Sequence, residues 1–346
     1  MAALIIALYG LTAFTSFMNL LLMRRPPRAE TGEGRRILCL IPARDEAENL
    51  RELIPILIEQ GARVAVFNDE SSDGTGEVAA AAGATVITPP EPLPQGWTGK
   101  NRACHELGRW AQTTDFDLWL FLDADVRPQP GFLDGMAGLA KLTPVVTGIP
   151  RIRPGRGVEP LFMAWIGWII LANNPFWIVD LTKLSHSRFL NGQVTLWHRD
   201  IYTRLWPNEA MKGRIMEDVM MGRLLGREKV PVTVADLSRV LDVHMYDHWR
   251  QTLDGFSKNA YEMTNSAWGT ILVALALTFG AFAWIVSPWS AGFLFASALF
   301  VCLTARTPLW PVLFAPVSLL IGAFTCLRSL WWKKKGRTAW KGRVYK

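Results

Sequence analysis

Histidine and cysteine are scarce in this chain of 346 residues, with five of one and four of the other. The cysteines, at 39, 104, 302 and 326, have no paired spacing, so neither a disulfide framework nor a Cys/His zinc pattern is present. One falls in an apolar strand and two in long apolar segments, where reduced core thiols are expected. His244 and His248 stand four apart without a third ligand and read as surface or packing residues. There is no internal repeat and no low-complexity tract. No basic residue precedes the first apolar stretch, and Arg24-Arg25-Pro26-Pro27 after it makes a poor cleavage site, which favours a retained anchor over a signal peptide. The net charge of +7 is not gathered as a nucleic-acid footprint. Its basic residues cluster at Arg24-Arg25, Arg35-Arg36 and Lys333-Lys334-Lys335, each beside an apolar run, as charges do against anionic lipid.

What the chain has is apolar surface. Half of its residues are hydrophobic and sixteen are Trp, a side chain favoured at membrane–water interfaces. Residues 1–23 have the length of a membrane anchor, and the basic flank behind them places the following domain in the cytoplasm. After a linker at Pro26 to Gly34 comes a domain expected over 35–262. Apolar stretches at Trp268 to Val286, Phe293 to Thr304 and Leu309 to Leu327 form a second membrane region over 268–331, followed by a basic tail at 332–346. A cytoplasmic tail requires an even number of crossings, so either one of the three stretches is re-entrant or the charge rule fails. The whole reads as a multi-pass protein of the inner (plasma) membrane.

Residues 35–150 alternate strand and helix. Arg36 to Leu40, Val64 to Phe67 and Leu118 to Leu122 read as buried strands, and each ends in polar residues: Ile41-Pro42-Ala43-Arg44-Asp45-Glu46, Asn68-Asp69-Glu70, and Asp123-Ala124-Asp125. Such tips make the carboxyl edge of an open α/β sheet, where ligands bind. Two carboxylates at one tip suit a hard cation, Mg²⁺ or Mn²⁺, carrying a substrate diphosphate. Val158 to Val179 is nearly long enough to span. Spanning would put Asp125 and the later pair Glu217-Asp218 on opposite sides of the membrane, so it reads as an interfacial helix pair broken at Asn173-Asn174-Pro175, with an ordinary core helix as the alternative.

Four stretches in order, Pro42 to Glu46, Asp69 to Thr75, Asp123 to Asp125 and Glu217-Asp218, resemble the motifs of the family 2 glycosyltransferases, which use the GT-A fold. The likeness covers roughly 36–262. Gly96-Trp97-Thr98-Gly99-Lys100, Gly255 to Asn259 and Trp340 to Arg343 are similar to a membrane-bound branch associated with carotenoids and hopanoids. The resemblance implies a GT-A domain between N- and C-terminal transmembrane helices, and transfer of a sugar from a nucleotide-diphosphate donor to a lipid hydroxyl.

It also implies roles. Asp125 would ligate the metal and Asp123 contact metal or ribose. Asp218 would be the base, with Glu217 positioning it, unless the pair only favours a helix dipole. Pro42, Arg44, Glu46, Asp69 and Asp73 would lie on the donor side, where an Asx-turn role for Asp69 and a capping role for Asp73 are the alternatives. Lys100, Arg250 and Lys258 are candidates for the diphosphate, and Trp165, Trp168 and Trp249 for the acceptor. His248-Trp249-Arg250 departs from the Gln-x-x-Arg-Trp of processive synthases, which argues against a polymerase. The competing readings are a GT-A-fold membrane scaffold without catalysis and a nucleotidyltransferase. The latter usually carries a glycine-rich basic loop that Ile41 to Asp45 lacks.

Overall fold

A computed structural model describes residues 2–27, 36–89, 91–153, 155, 157–179, 189–214, 216–246, 248–264, 266–283 and 285–335, with the backbone of 339–340 and 343–344. Of the expected tail motif, Lys341 and Gly342 lie outside the described residues. The chain divides into two compact units. One is α/β and comprises Arg24–Arg151 and Ile178–Val243; the other is helical and comprises Met1–Met23, Ile152–Trp177 and His244–Lys346.

The α/β unit is built on a seven-stranded sheet. Its strands are β1 (Ile37–Ala43), β2 (Arg63–Asn68), β3 (Thr85–Ile87), β4 (Leu118–Leu122), β6 (Val145–Ile149), β7 (Val194–His198) and β8 (Val232–Asp236); β5 (Val126–Pro128) and β9 (Leu241–Val243) pair antiparallel in a separate three-stranded sheet that the short strand Arg151–Ile152 completes. The order across the sheet is β3-β2-β1-β4-β7-β6-β8. All neighbours are parallel except β7, which runs antiparallel to both β4 and β6. Leu118 to Leu122 are buried throughout, as are Ile37 to Ile41, so these central strands are apolar on both faces. The helices between them are α1 (Ala47–Glu59), α2 (Thr75–Ala81), α3 (Gly99–Ala111), α4 (Phe132–Ala140), α5 (Arg199–Leu205) and α6 (Glu217–Arg227). In α1, Leu50, Leu53, Ile54 and Leu57 are buried at helical spacing, which is the stripe that holds it on the sheet. From β1 the chain moves outward to β2 and β3 and then returns to the other side of β1 for β4. The gap between the C-terminal ends of β1 and β4 is therefore the switch point of the sheet.

The helical unit holds the apolar helices Ala2–Leu22, Glu159–Asn173, Ala267–Ala283, Pro288–Ala305 and Ala315–Lys334, with the amphipathic Trp249–Thr264. Among the described residues, four helices are long and apolar enough to cross a membrane, at 2–22, 159–178, 288–305 and 310–334. The outward side chains of the helical unit are large and apolar, including Leu4, Leu8, Leu272, Phe279 and Leu313, a surface that water does not favour. Inward, small polar groups join the helices. Tyr9 Oη donates to the Gly280 carbonyl at 2.5 Å and Trp168 Nε1 to Ser297 Oγ at 2.8 Å. The helix begun at Glu159 ends at Asn173, where the sequence places Asn-Asn-Pro. The carbonyls of Leu171 and Asn174 there accept from the buried Asn19 amide at 2.7 and 2.8 Å, which meets the usual need of a helix C-terminus.

This division differs from the boundaries expected above. Residues 158–177 of the expected interfacial segment and residues 244–262 group with the apolar helices and not with the α/β domain. The reason is packing. Phe162 stacks on Trp249, Trp165 meets Phe256 edge-on, and Arg328 of the last helix binds Asp254 at 2.6 Å.

Candidate active site

The site follows from where the strands stop. β4 ends at Leu122, so Asp123 is the first residue beyond its tip, and its N–H donates to the Gln193 carbonyl at 3.1 Å. Leu122 is in register with Val194 on the antiparallel β7, which brings the preceding loop, Asn191-Gly192-Gln193, to the same tip. Lys100 reaches this point from the first turn of α3, whose start is capped by Thr98. Its ammonium lies 2.6 Å from Asp123 Oδ1 and 3.9 Å from Glu217 Oε1, and it donates to the Gly192 carbonyl at 3.0 Å. Gly192 also donates its N–H to Asp218 Oδ2 at 3.2 Å, while Val219 N–H donates to Asp218 Oδ1 at 2.8 Å. A Cβ at Gly192 would come within 3.3 Å of both Asp218 Oδ2 and Lys100 Nζ, so a side chain there would press on the pair.

One ammonium therefore serves a group of acids, and the acids respond. Burial pushes the Glu217 carboxyl up to about 7, with Asp218 adding to the rise and Lys100 opposing it. Burial raises Asp218 as well, against the backbone N–H groups and Lys100 that favour its ionised form. Asp125 is pushed up to about 7 by burial first, then by the charges of Asp123 and Glu46. Among the described residues, its Oδ1 is buried with no hydrogen-bond partner. A carboxylate oxygen in that state beside a second carboxylate is a ligand set open to a cation. No three His, Cys, Asp or Glu side chains form a closed metal cage among the described residues, which suits an ion completed by substrate oxygens and water.

The tips of β1 and β2 are stitched to one another. Arg44 Nη1 donates to the Asp69 carbonyl at 2.9 Å and lies 3.6 Å from Glu70. Asp45 N–H donates to Ser71 Oγ, and Ser72 N–H returns a bond to Asp45 Oδ1. Asp45 and Glu70 both have positive φ, a conformation that costs non-glycine residues and here makes the two facing turns. Asp69 is buried at the β2 tip, its N–H on the Ala43 carbonyl. Pro42 is half-buried in β1, in register with Phe67. Asp73 Oδ2 accepts from Ala47 N–H and Oδ1 from Thr75 N–H, and Thr75 Oγ1 in turn accepts from Glu46 N–H. Burial works against the Asp73 carboxylate, yet these bonds hold its pKa below the usual range. They describe the capping alternative for Asp73, which ties two helix starts together.

Lys100, Asp123, Glu217 and Asp218 thus meet, Asp125 and Glu46 sense each other's charge, and Arg44 and Asp69 share the neighbouring tips. Arg250, Lys258, Trp165, Trp168 and Trp249 belong to the helical unit. Arg250 lies over the Trp249 ring, 5.3 Å from its centroid. Trp165 is 2% exposed, and a Cβ at Gly322 would stand 2.9 Å from its ring. Trp165 is therefore packed in the core of the helical unit. His244 and His248 are exposed, and His248 stacks on Trp249.

Sequence reasoning missed three features. The Asn191-Gly192 turn carries a dipeptide signal that went unused. A buried network, Tyr202 Oη to Asn208 Oδ1 at 2.7 Å and Asn208 Nδ2 to Asn101 Oδ1 at 3.2 Å, lets Asn101 hold the Met211 and Arg214 carbonyls on the approach to Glu217. Arg127, two residues past Asp125, braces the acidic loop and had no signal in the sequence.

Residues 39–197 match the family model Glycosyl transferase family 2. The 4,4'-diaponeurosporenoate glycosyltransferase of Staphylococcus aureus (strain USA300) is 28% identical over 265 residues, covering 71% of this chain and 67% of that protein. The protein of the same name from Staphylococcus haemolyticus (strain JCSC1435) is 26% identical over 249 residues, covering 70% and 65%. The chain thus aligns with about two thirds of the length of these curated relatives. Among solved structures, a mannosyltransferase from Pyrobaculum calidifontis in complex with GDP-Man and Mn²⁺ is similar over 96% of this chain and 99% of its own, with a TM-score of 0.52 and 15% identity, a likeness of fold.

Proposed function

We propose, for a chain whose residues 39–197 form a glycosyltransferase family 2 domain, that it moves a sugar from a nucleotide-diphosphate donor, UDP being the favoured nucleotide, to an oxygen of an apolar lipid of the carotenoid, hopanoid or polyprenyl class, with inversion at the sugar carbon. The observation that carries this reading is the meeting of Asp123, Lys100, Glu217 and Asp218 at the switch point of the sheet. Asp125 and Asp123 would hold Mg²⁺ or Mn²⁺; when bound, the ion neutralises charge on the diphosphate. Arg44 and Asp69 lie where the nucleoside end would be held. Lys100 keeps the acids together and offers a cation to the leaving phosphate. Asp218, fixed by two backbone N–H groups, takes the proton of the acceptor hydroxyl, and Glu217 holds the cation that orients the pair. A single carboxylate, Asp218, assigned as base supports inversion.

The relatives' name ends in a carboxylate, and a carboxylate acceptor brings no proton to remove. A hydroxyl acceptor gives Asp218 its use and is the reading we favour; the Asp218 variant below separates the two.

The chain reads as membrane-bound, with the α/β unit on the cytoplasmic side. β4, β6 and β7 interleave in one sheet although segment 152–177 separates β6 from β7 in sequence, which supports the reading that this segment leaves and returns on one side of the bilayer. Helices Trp249–Thr264 and Ala267–Ala283 meet at a bend of 115°. A re-entrant bent pair followed by two crossings at 288–305 and 310–334 returns the basic tail to the cytoplasm.

The test is release of UDP from a UDP-sugar by the purified full-length protein, on addition of lipid, with Mg²⁺ or Mn²⁺ and after chelation. Metal-dependent, lipid-stimulated release is expected. Full turnover in excess chelator would remove the metal, pyrophosphate release would indicate a nucleotidyltransferase, and no product with any lipid would favour a scaffold.

A further inference from the structure

Arg127 stands two residues past Asp125, and each of its three guanidinium nitrogens donates to the acidic loop or to the helix that follows β1. Nη1 donates to the carbonyls of Ala124 at 3.2 Å and Val126 at 2.9 Å. Ala124 is the residue between Asp123 and Asp125. Nη2 donates to Asn49 Oδ1 at 2.8 Å, and Nε pairs with Glu52 Oε2 at 2.7 Å. Asn49 passes the link on, since its Nδ2 donates to Glu46 Oε2 at 2.6 Å. A single planar fork therefore joins the loop bearing the two acids to the first turn of α1, and through one amide to Glu46.

We infer that Arg127 is a positioning residue of the donor site: it sets the distance between the cation-holding acids after β4 and the Glu46 turn after β1, with Asn49 as the relay. The inference rests on the reading of Asp123 and Asp125 as a divalent-cation site. A purely structural role fits less well. The strand that carries Arg127 is already paired, with Asp242 opposite Arg127 in register on β9. Glu52 is 66% exposed, so its ion pair adds little to stability. What the guanidinium adds is geometry, because its donors diverge in one plane and reach two carbonyls and an amide at once. A lysine has the charge and lacks the fork. Groups that orient metal ligands from behind commonly change metal affinity about 10–100-fold when lost.

The experiment uses the full-length protein in detergent. Mn²⁺ is titrated with and without UDP, free Mn²⁺ being followed by electron paramagnetic resonance, and thermal melting is recorded alongside, for the wild type, Arg127→Lys, Arg127→Met and Asn49→Ala. Arg127→Lys and Arg127→Met should both weaken Mn²⁺ binding about tenfold or more while melting stays within about 2 °C of the wild type. Asn49→Ala should weaken UDP binding in the presence of Mn²⁺ by about tenfold and leave Mn²⁺ binding alone within about twofold. Wild-type Mn²⁺ affinity in Arg127→Lys, or a loss seen only together with a fall in melting temperature, would overturn the inference alone. A wild type that binds no Mn²⁺ would overturn the metal reading and this inference with it.

Discussion

Replacing Lys100 by Met tests the electrostatic centre of the site. Met keeps most of the length and the apolar stem but has no N–H donor. The ammonium it removes lies 2.6 Å from Asp123 and 3.9 Å from Glu217, at a place where burial already pushes the Glu217 carboxyl up to about 7. Two unit charges about 4 Å apart interact by about 4 kcal/mol at an effective dielectric constant of about 20. The Lys100 side chain is 35% exposed, so water screens part of this. A net effect of about 1–2 kcal/mol on the ionisation of Glu217 remains, or about one pH unit. Lys100 favours the ionised carboxylate, so its loss raises the pKa. Lys100 also favours the ionised form of Asp218, the proposed base, which works ionised, so the rate falls as pH drops. The acid limb of the rate profile should therefore move to higher pH by about one unit. The assay is initial UDP release between pH 5.5 and 9 at saturating donor and metal, for the wild type and Lys100→Met, with Lys100→Arg as the charge-preserving control. A limb that stays in place, or moves to lower pH, would refute the electrostatic reasoning. An equal loss at every pH would mean that Lys100 acts on the donor phosphates and not on the acids.

Asp218→Asn keeps the size of the side chain and cannot accept a proton; transfer to a hydroxyl acceptor should fall roughly 10²–10⁴-fold with donor binding retained by calorimetry, and more than about a third of the wild-type rate would point to another base or to a carboxylate acceptor. Trp165→Ser empties a fully packed place between Phe256 and Gly322, so it should cost about 3–5 kcal/mol, lowering the melting temperature and reducing lipid transfer and donor hydrolysis together; selective loss of lipid transfer with unchanged melting would put Trp165 on the acceptor path.

The sequence shows strands best where a long apolar run stops abruptly. Leu118 to Leu122 ends at an acid, Ile37 to Ile41 runs into Pro42 and the charged turn, and both stops are the strand tips that hold the site. Carboxylates at such a tip single out Asp123 and Asp125, so the place of the candidate site was legible before any coordinate. β7 was not. Val194 to His198 is five residues long, and nothing in it says that it enters between β4 and β6 and runs against both. Because that direction was hidden, so was the Asn191-Gly192-Gln193 loop, although it touches both Lys100 and Asp218. Asp73 shows a different limit. A capping aspartate and a ligand aspartate have the same spacing before a helix, and only the bonds to Ala47 and Thr75 separate them. Helix Trp249–Thr264 shows a third. Its polar face reads as part of a water-facing domain, yet Asp254 and Glu262 on that face are met by Arg328 and Lys333 of the last apolar helix. A local pattern states that a face is polar; the partner that makes it so, seventy residues away, can be found only in three dimensions. The same holds for Arg127, whose work is done through carbonyls and an amide that no spacing rule records. What sequence delivers at a site like this is the set of groups that react, and what folding adds is the set that holds them at the right distance.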